Sequence, residues 1–242
     1  MIKLFEQFNN EQEIREICKK YNIAIGKYTI NEDGSIDVDG SVYISSRELT
    51  EIPLKFNKVS GNFDCSNSNL TTLKNSPKEV GGYFWCYMNK LTSLEDGPER
   101  VGEFFDCSEN QLTSLEGGPK EVGDDFDCSN NEISDLKGIS SVIYGILNCR
   151  INKLTSLKGS PMVIYGNLNL QENPLSIIDS SIEVKGESIY IGLTKLDYYR
   201  ILLLSSEKLK ILFEHGVDYN IFYEDGSISD YRLERMFKDF NI

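Results

Sequence analysis

Histidine is all but missing from this chain, with only His215 among 242 residues. Metal centres of ordinary ligand spacing and histidine-dependent acid–base machinery therefore have almost nothing to be built from. His215 falls near the end of a predicted helix, where a cation is favourable, and is read as capping or packing. Long hydrophobic runs are absent too: none approaches the roughly 18 residues that a membrane span needs. The opening stretch, Met1-Ile-Lys-Leu-Phe-Glu-Gln-Phe-Asn-Asn-Glu-Gln, is polar and acidic and lacks the form of a secretory signal. A cytoplasmic location is expected. Positive charge is scarce, with 25 Lys and Arg against 38 Asp and Glu, a net charge of −13. Such a surface repels phosphate backbones, so direct nucleic-acid binding is disfavoured. Solubility is the plain reading of the excess charge. Binding a basic partner, or mimicking DNA, remains compatible with it.

What the chain does have is regularity. Five of its six cysteines, Cys65, Cys86, Cys107, Cys128 and Cys149, stand 21 residues apart. The row continues as Ile44 before them and as Leu170 and Ile191 after them. A position that accepts Cys, Leu or Ile is a small buried slot, because free cysteine packs as a small hydrophobe. Neither zinc nor a disulfide explains that interchange. Cys18, outside the row, lies on the apolar face of an amphipathic segment with Ile14, Ile17 and Tyr21 and is read as core.

Other rows share the register. Two residues before each cysteine position come Val42, Phe63, Phe84, Phe105, Phe126, Leu147, Leu168 and Ile189; five after it come Leu49, Leu70, Leu91, Leu112, Ile133, Leu154 and Leu175. Eight after it come Ile52, Leu73, Leu94, Leu115, Leu136, Leu157 and Ile178, and three after it Asn89, Asn110, Asn131, Asn152 and Asn173. The apolar-x-apolar pair predicts a short strand with alternate side chains facing inward. The asparagine amide can satisfy backbone groups left over where the chain turns out of that strand. The return segment carries Pro77, Pro98, Pro119 and Pro161, with Val80, Val101, Val122, Ile143 and Ile164 behind them. About ten residues so punctuated are too short for a regular helix, so an extended, irregular or 3₁₀ return is expected. One such unit cannot bury its own apolar face, and stacking is what buries it.

The unit (Phe/Leu)-x-(Cys/Leu)-x-x-Asn-x-Leu-x-x-Leu resembles the leucine-rich repeat. The resemblance implies an α/β repeat fold: a solenoid with one continuous parallel sheet on its concave face, an irregular or 3₁₀ convex side and helical caps at both ends. Residues 1–40, a helix plus a hairpin turning at Asp33-Gly34, are expected to form the first cap. Residues 41–193 supply eight strand rows. Residues 194–242 form a helical second cap, with helical spacing over 196–204, 206–215 and 229–240.

Chemistry is hard to place on this frame. The stretch from Asn31 to Val42 resembles a calcium loop, but its sixth and twelfth positions are Ile36 and Val42 instead of glycine and glutamate. Gly81-Gly82 and Gly117-Gly118 recur with the repeat and belong to its turns. No catalytic residue, metal or cofactor is expected.

The period also gives the outward-facing positions of each strand. Most are Ser, Asn or Asp. The third and fourth rows differ: Tyr83, Trp85, Tyr87 and Phe104 cluster there, with Met88 at the edge and Asp106, Asp125 and Asp127 beside them. Trp85 is the only tryptophan. Large aromatics left in water mark interfaces, and the carboxylates suit a protein partner with a basic rim. A bland alternative is that the aromatics shield one another, or that Phe104-Phe105 shifts the strand by one residue. Ile146, Arg150 and Ile151 form a second, smaller candidate.

Units such as Leu112-Thr-Ser-Leu-Glu-Gly-Gly-Pro-Lys-Glu-Val-Gly-Asp-Asp-Phe-Asp-Cys-Ser-Asn-Asn look like those of leucine-rich-repeat proteins encoded by tailed bacteriophages. That resemblance implies a non-enzymatic binder acting in an infected bacterium, modulating a host protein such as a defence factor. A virion or assembly component is one alternative. A substrate-recruiting effector is another, though residues 194–242 hold no cysteine for ligase chemistry.

Overall fold

A computed structural model describes residues 11–44, 49–175, 182–186, 189–191 and 230–239. The helical spacings at 196–204 and 206–215, His215, and the row member Ile178 lie outside them.

The first element is α1 (Glu11–Tyr21), with Glu11 and Glu13 in its first turn and Lys19 and Lys20 in its last, each sign matched to the helix dipole. Ile14 on its apolar face is buried, and Asn22 takes φ 52° to end the helix. Strands β1 (Ile23–Ile30) and β2 (Ile36–Ile44) form an antiparallel hairpin. Its turn is fixed by Asp33 Oδ1, which accepts from the Ser35 amide at 3.1 Å and hydroxyl at 2.6 Å.

From β2 the chain winds into a parallel β-solenoid with 21-residue turns. Val42 of β2 pairs with Phe63 of β4 (Phe63–Asp64), and each Phe or Leu pairs with its counterpart one turn on. The series runs through β6 (Phe84–Trp85), β8 (Phe105–Asp106), β10 (Phe126–Asp127), β12 (Leu147–Asn148), β14 (Leu168–Leu170) and β16 (Ile189–Ile191). Register cannot slip, since a one-residue shift would turn every buried side chain to the solvent. Phe63, Phe84, Phe105 and Phe126 stack along the axis with ring centroids 5.3, 5.7 and 5.1 Å apart. The cysteine column beside them is fully buried, as are the leucine columns, in one continuous core.

The return segments are more regular than their Pro and Gly punctuation predicts. Among the described residues no 3₁₀ helix occurs there; instead a second parallel ladder forms. Its strands are β3 (Phe56–Val59), β5 (Glu79–Val80), β7 (Arg100–Val101) and β9 (Glu121–Val122), followed by β11 (Val142–Ile143), β13 (Val163–Ile164) and β15 (Glu183–Val184). From β5 to β13 each has one β-branched side chain inward beside an outward one, at the same height in each turn, so neighbours pair even over two residues. The two ladders meet in β2: Ile36–Val38 pairs with β3 and Val42–Tyr43 with β4. The result is a 13-stranded sheet, with β11, β13 and β15 forming a separate three-stranded one. A glycine column makes the corner between the ladders. A Cβ at Gly102 would lie 2.1 Å from the carbonyl oxygen of Gly81.

The asparagines bolt the turns together. Asn110 Oδ1 accepts from the Leu91 amide at 3.0 Å, and its Nδ2 donates to the carbonyls of Cys86 at 3.0 Å and Cys107 at 3.1 Å. Asn89, Asn131, Asn152 and Asn173 repeat the pattern. The residue before each takes a left-handed backbone, Met88, Glu109, Asn130, Ile151 and Glu172, as does Asn67 before Ser68 at the same place one turn earlier. Helix α2 (Asp230–Asp239) coincides with the helical spacing at 229–240 and puts Met236 and Phe237 into the core. Among the described residues no helix is long and apolar enough to cross a membrane.

Candidate functional site

The outward face of the main ladder is mostly self-satisfied. Asp64, Asp106 and Asp127 each accept through Oδ1 from the amide two residues on, as Asn148 and Asn169 do. These short polar side chains serve the backbone of their own turn. Trp85, in the same column, cannot. Its indole Nε1 is buried, and among the described residues it is the buried side-chain polar atom without a hydrogen-bond partner.

Tyr83, Trp85 and Tyr87 come together as the period predicts. Tyr83 and Trp85 stack at 3.8 Å between ring centroids, and Tyr87 meets Trp85 edge-on at 6.1 Å. All three are half-buried, so they do cover one another in part. Phe105 is fully buried while Phe104 stays partly exposed, which removes the idea of a shifted strand. Met88 is 45% exposed at the edge of the cluster. Tyr43, not singled out from sequence, extends the group through a side-chain hydrogen bond with Tyr83, whose phenol is pushed up to about 12, chiefly by burial.

The acidic residues lie on the next two turns. Asp106 pairs across the ladder with Trp85 on one side and Asp127 on the other. Burial pushes its carboxyl up to about 6, with the charges of Asp127 and Glu109 adding to the effect and hydrogen bonds from Ser108 opposing it. An ionised carboxylate there is under electrostatic stress that a cation would relieve.

Beyond it lies a depression of 320 Å³, whose lining includes Phe104, Asp125, Asp127 and Ile146. Ile146, from the second candidate group, thus joins residues of the first. Arg150 does not join them as a free cation: its Nε and Nη2 hold Glu172 Oε1 at 2.9 and 2.7 Å. Ile151 sits half-buried at φ 53°, the equivalent of Met88 three turns earlier.

Sequence reasoning missed one exposed apolar group. Tyr144 and Tyr165 are 61% and 46% exposed and stack on each other at 5.6 Å, with Lys185 over the Tyr165 ring. They fall in the register column that holds Gly81, Gly102 and Gly123, and that switch from glycine to tyrosine was the available signal. The buried cysteines offer no chemistry: burial raises the Cys65, Cys86 and Cys107 thiols, keeping them protonated and unreactive. Comparison with family models, with curated proteins and with solved structures finds no match to this chain.

Proposed function

We propose that this chain is a non-catalytic binding module of the leucine-rich-repeat type, made by a bacteriophage, whose outward sheet face engages a host protein such as a defence factor. One observation carries the reading. Where neighbouring turns place Asp, Asn or Ser that satisfy their own backbone, Tyr83, Trp85, Tyr87, Phe104 and Ile146 stand instead, contributing nothing to that pattern. Aromatics on a flat, water-facing ladder are the usual anchors of a protein interface. In this scheme α1 with its hairpin and α2 close the two ends of the stack, as solenoids require.

The test is affinity capture from a bacterial lysate, comparing wild type with a Trp85→Ala/Tyr87→Ala double variant checked for folding by circular dichroism. The reading expects one bacterial protein held by wild type and lost from the variant. Equal capture by both moves the contact elsewhere. No capture, together with self-association in light scattering, replaces the host-binding reading with an assembly role.

A further inference from the structure

We infer that the depression beside Phe104 is a slot for one arginine side chain presented by the protein partner. The inference rests on the binding reading above and gives it a chemical specificity. Phe104, Asp125 and Ile146 occupy the same outward column on three successive turns. Parallel neighbours lie about 4.8 Å apart, so the phenyl ring and the isoleucine side chain are rooted about 10 Å apart with the Asp125 position between them. A flat group in van der Waals contact with two hydrocarbon walls needs about 7 Å. A guanidinium is flat and tolerates aliphatic and aromatic faces, whereas an ammonium is compact and strongly hydrated.

The polar groups around the slot select charge over neutral hydroxyls. Asn148 Oδ1 accepts from the Arg150 amide and its Nδ2 donates to Asp127 Oδ2 at 2.8 Å. Asn169 Oδ1 accepts from the Gln171 amide. Both ends of Asn148 and the oxygen of Asn169 are thus spent on the chain itself. The carboxylates are different: Asp125 and Asp127 accept from the amides of Ile146 and Ser129 through Oδ1, and these neutral donors supply no counter-charge. Among the described residues no Lys or Arg lines the depression. Arg150, one turn on from Ser129, is engaged by Glu172.

The probe is argininamide, titrated into the full chain with ¹³C-methyl-labelled isoleucine, with lysinamide and glycinamide as controls. The slot predicts a saturable shift of the Ile146 methyl signal, with argininamide binding about fivefold tighter than lysinamide through stacking. Phe104→Ala and Asp125→Asn should each weaken argininamide about fivefold; Asn at 125 keeps the oxygen that holds the Ile146 amide. Equal response to argininamide and lysinamide, unchanged by either variant, would overturn the slot and leave only diffuse attraction to an acidic surface. Because the probe needs no partner, this result is independent of lysate capture: the slot can fail while capture through Trp85 stands, and the reverse.

Discussion

Two side chains carry strain that the fold itself does not ask for. The left-handed position at this turn suits Asn, which occupies it at Asn67 (before Ser68) and at Asn130, yet Ile151 holds it at φ 53°. A β-branched residue there is a true outlier. Ile151→Asn should therefore raise stability by about 1 kcal/mol in urea unfolding, and a decrease would mean that the packing of Ile151 outweighs its backbone cost. Asp106 stores a second stress. Its folded-state carboxyl is raised to about 6 from an ordinary 3.8, so between those values the folded chain binds the extra proton. Its ionisation lowers stability as pH climbs through that window, and the loss persists above it. Asp106→Asn should gain about 2 kcal/mol over wild type at pH 7.5 and little at pH 4. Thermal melts of both proteins at the two pH values check this; an advantage of equal size at both would assign the gain to something other than charge. None of this shows in the sequence, because Asp106 looks like Asp64 and Asp127 until its neighbours across the ladder are placed.

Among the elements, the main ladder was legible and the second was not. Phe, Cys and Leu recurring at fixed offsets name buried columns directly, since each side chain must face the core in every turn. The row Val80, Val101, Val122, Ile143 and Ile164 and an extended return were readable, but each such segment shows a single inward side chain amid Pro and Gly, so its pairing as a strand, as at Glu79–Val80, was not. Only their coincidence in height makes them strands. The aromatic cluster was equally readable as a set of positions, but not as a stack, and Tyr43 entered through a hydroxyl contact that no spacing encodes. The corner is the most demanding part of the design where its column holds glycine; from Tyr144 on, the tight glycine moves one residue along, to Gly145 and Gly166. Gly102→Val would drive a side chain into the Gly81 carbonyl, with no flexible neighbour to yield. It should cost about 3 kcal/mol or leave the protein insoluble, measured against the same substitution at exposed Glu103, which should be tolerated.

At the level of the whole molecule, the rim charges pair across turns, as Lys120 does with Glu99 and Lys153 with Glu132, and exposed pairs of this kind contribute little stability each. The stack is held by its columns, and those of the main ladder advance by 21 residues in every turn. Length in this protein is consequently counted in whole turns. Inserting one complete unit between Tyr87 and Phe104 would leave every buried contact type in place, while moving the aromatic cluster and the arginine slot apart by one strand spacing, about 4.8 Å. Fractional changes are forbidden by the core. The two halves of the face thus sit on a ruler with fixed graduations, and a lineage adapting to a partner of different size could move them apart only in those steps.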